Sequence, residues 1–473
     1  MRILLTGATG YIGKRLLPVL VNNGHHVICC VRDVNRFSAP DSIKSFIDVI
    51  EVDFLKAETL YNIPNDIDAA YYLIHSMSSS NEYEKLEEIA AVNFKNALNK
   101  TSIRHLIYLS GIVNEVSLSK HLKSRKNVED ILEDGQYKLT TLRAGIIIGS
   151  GSASFEIIRD LVEKLPIMIA PKWLNTRCQP IGIRDVLSFL EKALLNEKCF
   201  DQNFDIGGPD ILSYKEMLLE FAKFRKLKRR IYTIPIMTPK LSSYWLYFVT
   251  STSYNLAISL VDSMKIEVVC RNDMINKILN VQPEKYRKAL DRAFTKIDSN
   301  QIVSSWKDSQ VSGVKRFNIS DFIDVPTFGC FKDIRQREIV TKDKVIDKIW
   351  SIGGKNGWYY ANILWKTRGL IDKIFGGVGI RRGRTNPTSL ESGDALDFWR
   401  VLYANKSEGR LLLFAEMKLP GEAWLEFKIK NNKLIQTATF RPHGLLGRLY
   451  WYSVLPFHGI VFKGMINEIT NTG

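Results

Sequence analysis

The sequence has only six cysteines, at positions 29, 30, 178, 199, 270 and 330, and no two of them form C-x-x-C. That absence excludes the common zinc spacings. The adjacency of Cys29 and Cys30 inside an apolar run argues against a disulfide framework. Reduced thiols, a cytoplasmic setting and no metal site are expected. No charged-then-apolar leader precedes the first strand, so no signal peptide is expected. No long basic block stands out, although Lys and Arg number 66 against 50 Asp and Glu, a formal net charge of +16. Such a balance favours acidic partners in general. The densest run, KFRKLKRR at 223–230, comes without a recognition motif. It reads as a solvated helix end, and nucleic acid is not an expected partner. One long uncharged run exists, LSSYWLYFVTSTSYNLAISLV at 241–261. Its length would span a bilayer, but its Ser, Thr and Asn make transfer unfavourable. A buried or interfacial helix is expected there, which leaves peripheral membrane association open.

What is present is more specific. With 473 residues the chain is too long for one core, so two or three domains are expected. The clearest signal is RILLTGATGYIGKRLLPVLVNNGHHVICCVRD at 2–33. It reads as a short apolar strand, a turn with Gly7, Gly10 and Gly13, a helix stopped at Gly24, and a second strand. A β-α-β unit of about 30 residues carrying these glycines is the expected form of a dinucleotide site. One glycine permits the turn, one lets the backbone approach a pyrophosphate, and one lets the helix lie close to the sheet. The helix N-terminus then offers free N–H groups and a positive dipole end. Thr6, Gly7, Thr9, Gly10, Tyr11, Ile12 and Gly13 are the candidate cofactor residues of this turn. At the end of the second strand, Arg32 followed by Asp33 favours NADP(H), with NAD(H) possible. Further strands end near Asp53 and Phe54, near Ile74 and His75, and at Ser110. All of these join the candidate list, Asp53 at the adenine edge. Strands alternating with helices predict a doubly wound parallel sheet, α/β in class, with ligand at the carboxyl ends of its strands.

TGATGYIG, VRD, EVDF, YLSGI and LRAGIIIGSGS, in that order, resemble the short-chain dehydrogenase/reductase superfamily in its extended and atypical branches. The resemblance covers roughly residues 1–295, and FDIGGPDILSYKEML at 204–218 is similar to the start of the extended members' substrate region. It implies an NAD(P)-binding Rossmann domain, a catalytic Ser at Ser110, and Gln179 and Pro180 bordering the substrate cleft. The family's Tyr-x-x-x-Lys is absent, and His121 and Arg125 stand in its place, one turn apart on a helix. His is a competent proton donor near neutral pH, and Arg can hold ribose or phosphate oxygens. The same KHLKSRK also reads as a solvated cationic helix face.

A polar, Ser-rich stretch at 296–324 is a plausible linker, and 325–473 changes texture. A strand, short helices, an alternating antiparallel meander and a long final helix are expected in that order. This order resembles the helix-grip fold of the START and Bet v 1-like superfamily. It is also similar to an uncharacterised α+β domain often fused to atypical short-chain dehydrogenases. Trp399, Phe414, Trp424, Phe440 and Trp451 either line a cavity or fill a solid core there. GIRRGR at 379–384 is a cationic turn, solvated or facing an acidic headgroup. The expected activity is NADP(H)-dependent oxidoreduction of a small, apolar carbonyl, alcohol or enone. The alternative is a non-catalytic NAD(P)-binding sensor or scaffold. Oligomeric state is left open.

Overall fold

A computed structural model describes residues 1–34, 37, 41–74, 83–113, 120–234, 261–298, 325, 330–354, 356–375, 377–379, 389–442 and 444–471. The chain divides into two compact units, Met1–Val311 and Ser312–Gly473. The apolar run at 241–261 lies almost wholly outside the described residues, as do the linker stretch beyond 298 and most of GIRRGR. Among the described residues no helix is long and apolar enough to cross a membrane.

The first unit is built on a seven-stranded parallel sheet. Its strands are β1 (Arg2–Leu5), β2 (His26–Val31), β3 (Ile47–Glu51), β4 (Ala69–Tyr72), β5 (His105–Gly111), β6 (Lys138–Ala144) and a last strand, Gln202–Ile206. The spatial order is Gln202–Ile206, β6, β5, β4, β1, β2, β3. Strand order therefore reverses between β1 and β4, and a crevice opens beyond the carboxyl ends of those two strands. Both faces of the sheet are covered, which explains why its strands read as nearly continuous apolar runs. Ile3, Leu5 and Cys29 enter one core, and Leu4, Ile28 and Cys30 enter the other. The neighbouring cysteines thus point to opposite faces and cannot pair with each other. Burial pushes the Cys29 thiol up to about 12 and raises that of Cys30 further, so both stay protonated.

Helix α1 (Gly13–Asn22) follows β1, α2 (Tyr83–Leu98) follows β4, and α3 (Lys120–Glu133) follows β5. Two buried polar links hold α3 in place. Arg143 on β6 donates twice to Glu129 on α3, Nε to Oε2 at 3.1 Å and Nη2 to Oε1 at 2.6 Å. Ser124 on α3 donates its hydroxyl to Glu87 on α2. Beyond β6 come α4 (Ala153–Lys164), α5 (Ile183–Ala193) and α6 (Tyr214–Phe224). Helices α4 and α6 share an apolar cluster with the segment around Phe294. Helix α4 starts at Ser152, whose hydroxyl accepts from Phe155 N, and α6 starts with a Ser213–Glu216 capping box.

The second unit contains a six-stranded antiparallel sheet. Phe331–Glu338 pairs with Lys433–Pro442, which pairs in turn with Gly421–Lys430. Arg410–Ala415, Trp399–Asn405 and the short Ala395–Leu396 complete it. The final helix, Gly444–Thr470, shares one core with this sheet through Val461, Phe462, Met465, Ile466 and Ile469. The order of strand, helices, meander and long last helix is the order expected from the sequence.

His105 gives this fold a pH-sensitive joint. Its ring is fully buried, and the Leu195 amide donates to its Nδ1 at 2.9 Å. The ring proton must therefore sit on Nε2, which donates to Thr140 Oγ1 at 2.8 Å. Thr140 passes its own proton on to the Cys199 carbonyl at 2.7 Å. Burial holds the imidazole neutral and pushes its pKa down to about 4. The folded value lies below the unfolded one, so the stability this neutral ring confers is present above about pH 6.5 and is lost as pH falls toward 4. In urea titrations the first unit's transition is expected to lose about 3 kcal/mol more between those pH values than it does in a His105→Gln variant. Equal losses in both proteins contradict the assignment.

Candidate functional site

The carboxyl end of β1 runs directly into the glycine turn. Gly7 adopts a left-handed backbone at φ +65°, which a side chain there would strain. A Cβ on Gly7 would also stand 2.8 Å from the Leu73 carbonyl oxygen, just past the end of β4. The turn is closed by Gly10 N donating to Gly7 O at 2.8 Å. A Cβ on Gly13 would meet that same Gly7 oxygen at 2.2 Å, so α1 can start this close to the turn only from a glycine. Unlike α4 and α6, helix α1 is not capped by a side chain: its N-cap is Ile12, and its first turn holds no acid. The Lys14 amide donates to the Gly10 carbonyl at 3.1 Å and the Arg15 amide to the Ile12 carbonyl at 3.0 Å, so it is the positive dipole end of α1, with no acid beside it, that favours an external anion. This cradle fits a dinucleotide pyrophosphate.

The cradle opens into one continuous cleft of about 410 Å³. Gly7, Gly10, Tyr11, Ile12 and Gly13 line it together with Ser110 and Arg125. Ile157, Leu161, Met168 and Met217 make much of the rest of its lining apolar. Polar side chains interrupt the apolar lining, among them Tyr11, Ser110, Arg125 and Trp173. Ser110, at the carboxyl end of β5, is buried, and its hydroxyl makes no hydrogen bond of good geometry. The Tyr108 hydroxyl lies beside it and reaches the Arg125 carbonyl at 3.4 Å. Burial raises the Tyr108 phenol, and the Arg125 charge partly opposes this. Arg125 donates from Nη1 to the Leu109 carbonyl at 3.3 Å, while its buried Nε has no partner. The Trp173 indole N–H is likewise buried and without a partner. Tyr11 is packed under Arg15, whose guanidinium lies 3.9 Å from the ring centroid. Burial pushes the Tyr11 phenol up to about 12, with Arg15 acting against it. The bare Cα of Gly149 leaves room for the Tyr11 hydroxyl, which a Cβ there would approach to 2.5 Å.

The structure thus brings together Gly7, Gly10, Tyr11, Ile12, Gly13, Ser110 and Arg125 from the sequence reading. Others stand elsewhere. Thr6 is fully buried, and its hydroxyl bridges the Tyr71 carbonyl (2.9 Å) and the Leu73 amide (3.0 Å), fastening β1 to β4. Thr9 is half-buried and is not among the residues lining the cleft. Phe54 is a core residue, edge-on to Phe94 at 5.2 Å. The Asp53 carboxylate turns back onto the Leu55 amide at 3.1 Å. Ile74 packs against the core shared with α2. Arg32 is exposed at the end of β2, and Asp33 beside it is buried. His121 lies in the first turn of α3, one turn before Arg125, but its side chain falls outside the described residues, and so does His75 entirely. Gln179 and Pro180 are not cleft residues: the Gln179 amide group bridges the Gly208 carbonyl (2.6 Å) and the Cys270 amide (2.9 Å). Trp173 was not singled out as a site residue by the sequence, since it sits in a short turn after the strand Ile167–Pro171 with no motif around it.

The second unit has a separate cavity of about 250 Å³. Trp399, Trp424, Phe440 and Trp451 line it, and Phe414 packs instead with Leu402 and Leu412 in a satellite cluster.

Comparison with known proteins agrees with this division. Residues 7–156 match a family model described as NAD(P)H-binding, and residues 330–465 match one described as a protein of unknown function, DUF2867. Among curated proteins, the chain is 24% identical over 227 residues to divinyl chlorophyllide a 8-vinyl-reductase, chloroplastic, of Arabidopsis thaliana, covering 44% of this chain and 54% of that protein. The same enzyme of Cucumis sativus is 26% identical over 224 residues, covering 44% of this chain and 52% of that one. The chain therefore spans about half the length of the curated relatives it matches. Among solved structures, the triphenylmethane reductase of Citrobacter sp. superposes with a TM-score of 0.51 at 14% identity, covering 62% of this chain and all of that one, a likeness of fold alone. The first unit thus has a Rossmann fold whose cradle lies within the stretch matching the NAD(P)H-binding model, and the second unit contains the stretch matching DUF2867.

The glycine geometry yields a direct expectation. Gly13→Ala forces α1 away from the turn, and NADPH binding is expected to weaken by at least about 100-fold while the protein stays folded by circular dichroism. Retention of wild-type affinity contradicts the role given to this turn.

Proposed function

We propose that the protein is an oxidoreductase of the atypical short-chain dehydrogenase type, preferring NADP(H) and acting on a small apolar carbonyl, alcohol or enone. The observation that carries this reading is the single cleft lined together by the glycine cradle, Ser110, Arg125 and a set of apolar side chains. When bound, the nicotinamide supplies or accepts a hydride. The positive end of α1 holds the pyrophosphate, and Gly7, Gly10 and Gly13 allow its close approach. Arg125, which lines the cleft, holds ribose or phosphate oxygens. The Ser110 hydroxyl donates to the substrate oxygen and fixes its orientation. His121 delivers or accepts the proton at that oxygen near neutral pH. The apolar wall excludes water from the reacting centre. Exposed Arg32, next to buried Asp33, pairs with a 2′-phosphate, whereas a buried carboxylate is poorly placed for a ribose hydroxyl. The curated relatives are named as reductases of a vinyl group, which supports a conjugated, apolar substrate here. The second unit is read as a helix-grip-like domain, on the strength of its sheet and the long final helix packed with it.

A second reading, a non-catalytic NAD(P)-binding sensor or scaffold, is favoured by one observation, the absence of Tyr-x-x-x-Lys on α3. One series of measurements separates the two. NADPH and NADH are titrated first, and oxidation of NADPH is then followed against quinones, enals and ketones. The oxidoreductase reading expects turnover that falls at least about 100-fold in His121→Ala with NADPH affinity kept, and weaker NADPH binding in Arg125→Ala. It also expects Arg32→Ala to lose affinity for NADPH but not for NADH. Nucleotide binding without turnover of any substrate class supports the sensor reading.

A further inference from the structure

The second unit carries an apolar surface that the dinucleotide site does not explain. The helix Asn362–Ile374 buries Trp365, Gly369 and Asp372. Its opposite side is also apolar: Ile363, Leu370 and Ile374 are 78%, 56% and 63% exposed. These three lie at i, i+7 and i+11, one stripe of an α-helix. The neighbouring first half of the final helix repeats the pattern, with Leu446, Leu449 and Tyr452 at 73%, 58% and 60%. The two helices are adjacent, since Leu364 and Ile371 of one and Tyr450 and Val454 of the other line the same cavity. An amphipathic helix normally turns such a stripe inward, and clustered exposure of this kind marks a surface that meets something else.

Charge decides what that is. Lys366 falls between Ile363 and Leu370 on the exposed stripe, and Arg448 falls one turn before Tyr452; both are exposed. Arg368 lies 6.0 Å from the Tyr450 ring centroid, between the helices. The acid of the first helix, Asp372, is buried and accepts from the Gly379 amide (2.8 Å) and the Lys418 amide (2.7 Å). The final helix has no acid before Glu468. The face is therefore apolar with cations only. A two-fold contact between copies through this face would set each cation near its own counterpart, like charge on like charge. An anionic bilayer surface offers an apolar boundary layer for the Leu, Ile and Tyr side chains and phosphates for the cations. We propose that the second unit docks through these two helices onto the surface of an anionic membrane, lying on it rather than crossing it.

The test is sedimentation of the full chain with vesicles of phosphatidylcholine alone or doped with phosphatidylserine, at low and high salt. Binding is expected on the anionic vesicles only, weakening as salt rises. The triple variant Ile363→Ser, Leu370→Ser, Ile374→Ser is expected to bind at least about ten-fold more weakly. Lys366→Ala and Arg448→Ala should each cost about five-fold. An unchanged circular dichroism spectrum and unfolding midpoint in every variant confirm that the second unit stays folded. Absence of binding to either vesicle overturns the proposal. So does a wild-type dimer that the triple variant dissociates, which makes the face an interface between copies. Variants that bind as tightly as wild type also overturn it, by placing the membrane contact elsewhere.

Discussion

The structure of the first unit depends on one close approach. Where strand order reverses between β1 and β4, the chain leaving β1 must pass within van der Waals distance of the backbone leaving β4. The Gly7 position lies so near the Leu73 carbonyl that no side chain fits. The Thr6 hydroxyl, one residue earlier, fastens the two strand ends by bridging Tyr71 and Leu73. Because the turn is pinned there, α1 starts against it at Gly13, and its amino end is aimed out of the sheet at the crevice. Moving that turn by the width of a methyl group would shift the helix axis and misdirect its dipole.

The second determinant of the site is the register of α3. This helix brings Arg125 to the cleft, and it is held from two sides, by the buried Arg143–Glu129 pair and by Ser124 on Glu87. A buried ion pair is weak evidence for stability, because desolvation offsets its attraction. Its directional hydrogen bonds nonetheless fix one rotation of α3 about its axis. Arg125 can then line the cleft and meet the Leu109 carbonyl with Nη1. An Arg at this place sets a positive charge beside the cleft and presents a planar, forked donor.

Much of this was legible in the sequence where the signal was local. The strand–glycine–helix spacing of residues 2–22 marks the cradle, because each glycine answers a backbone requirement within a few residues. Side-chain direction was less legible. Thr6 and Phe54 sit at positions where this fold keeps its ligand, yet both face inward, one to fasten β4 and one to fill a core with Phe94. Strand ends and their following loops do not keep a strict period of two, so spacing alone does not say which face they take. Long-range pairing was not legible at all. Gln179 bridges Gly208 and Cys270, and His105 is locked by Leu195 and Thr140, partners up to about ninety positions away. Trp173 faces the cleft from a turn that carries no motif. In the second unit the alternating meander gave its sheet away, while the outward apolar stripe of Asn362–Ile374 is recognisable only once the buried side of that helix is known.

The central claim is that the turn from Gly7 to Gly13 and the positive end of α1 receive a dinucleotide pyrophosphate. Hydrogen–deuterium exchange of the full chain with and without NADPH measures this most directly. The account expects slowed exchange concentrated in residues 7–16 and at the carboxyl end of β5 around Ser110. Saturating NADPH that leaves exchange over 7–16 unchanged, or protects only a distant segment, contradicts it.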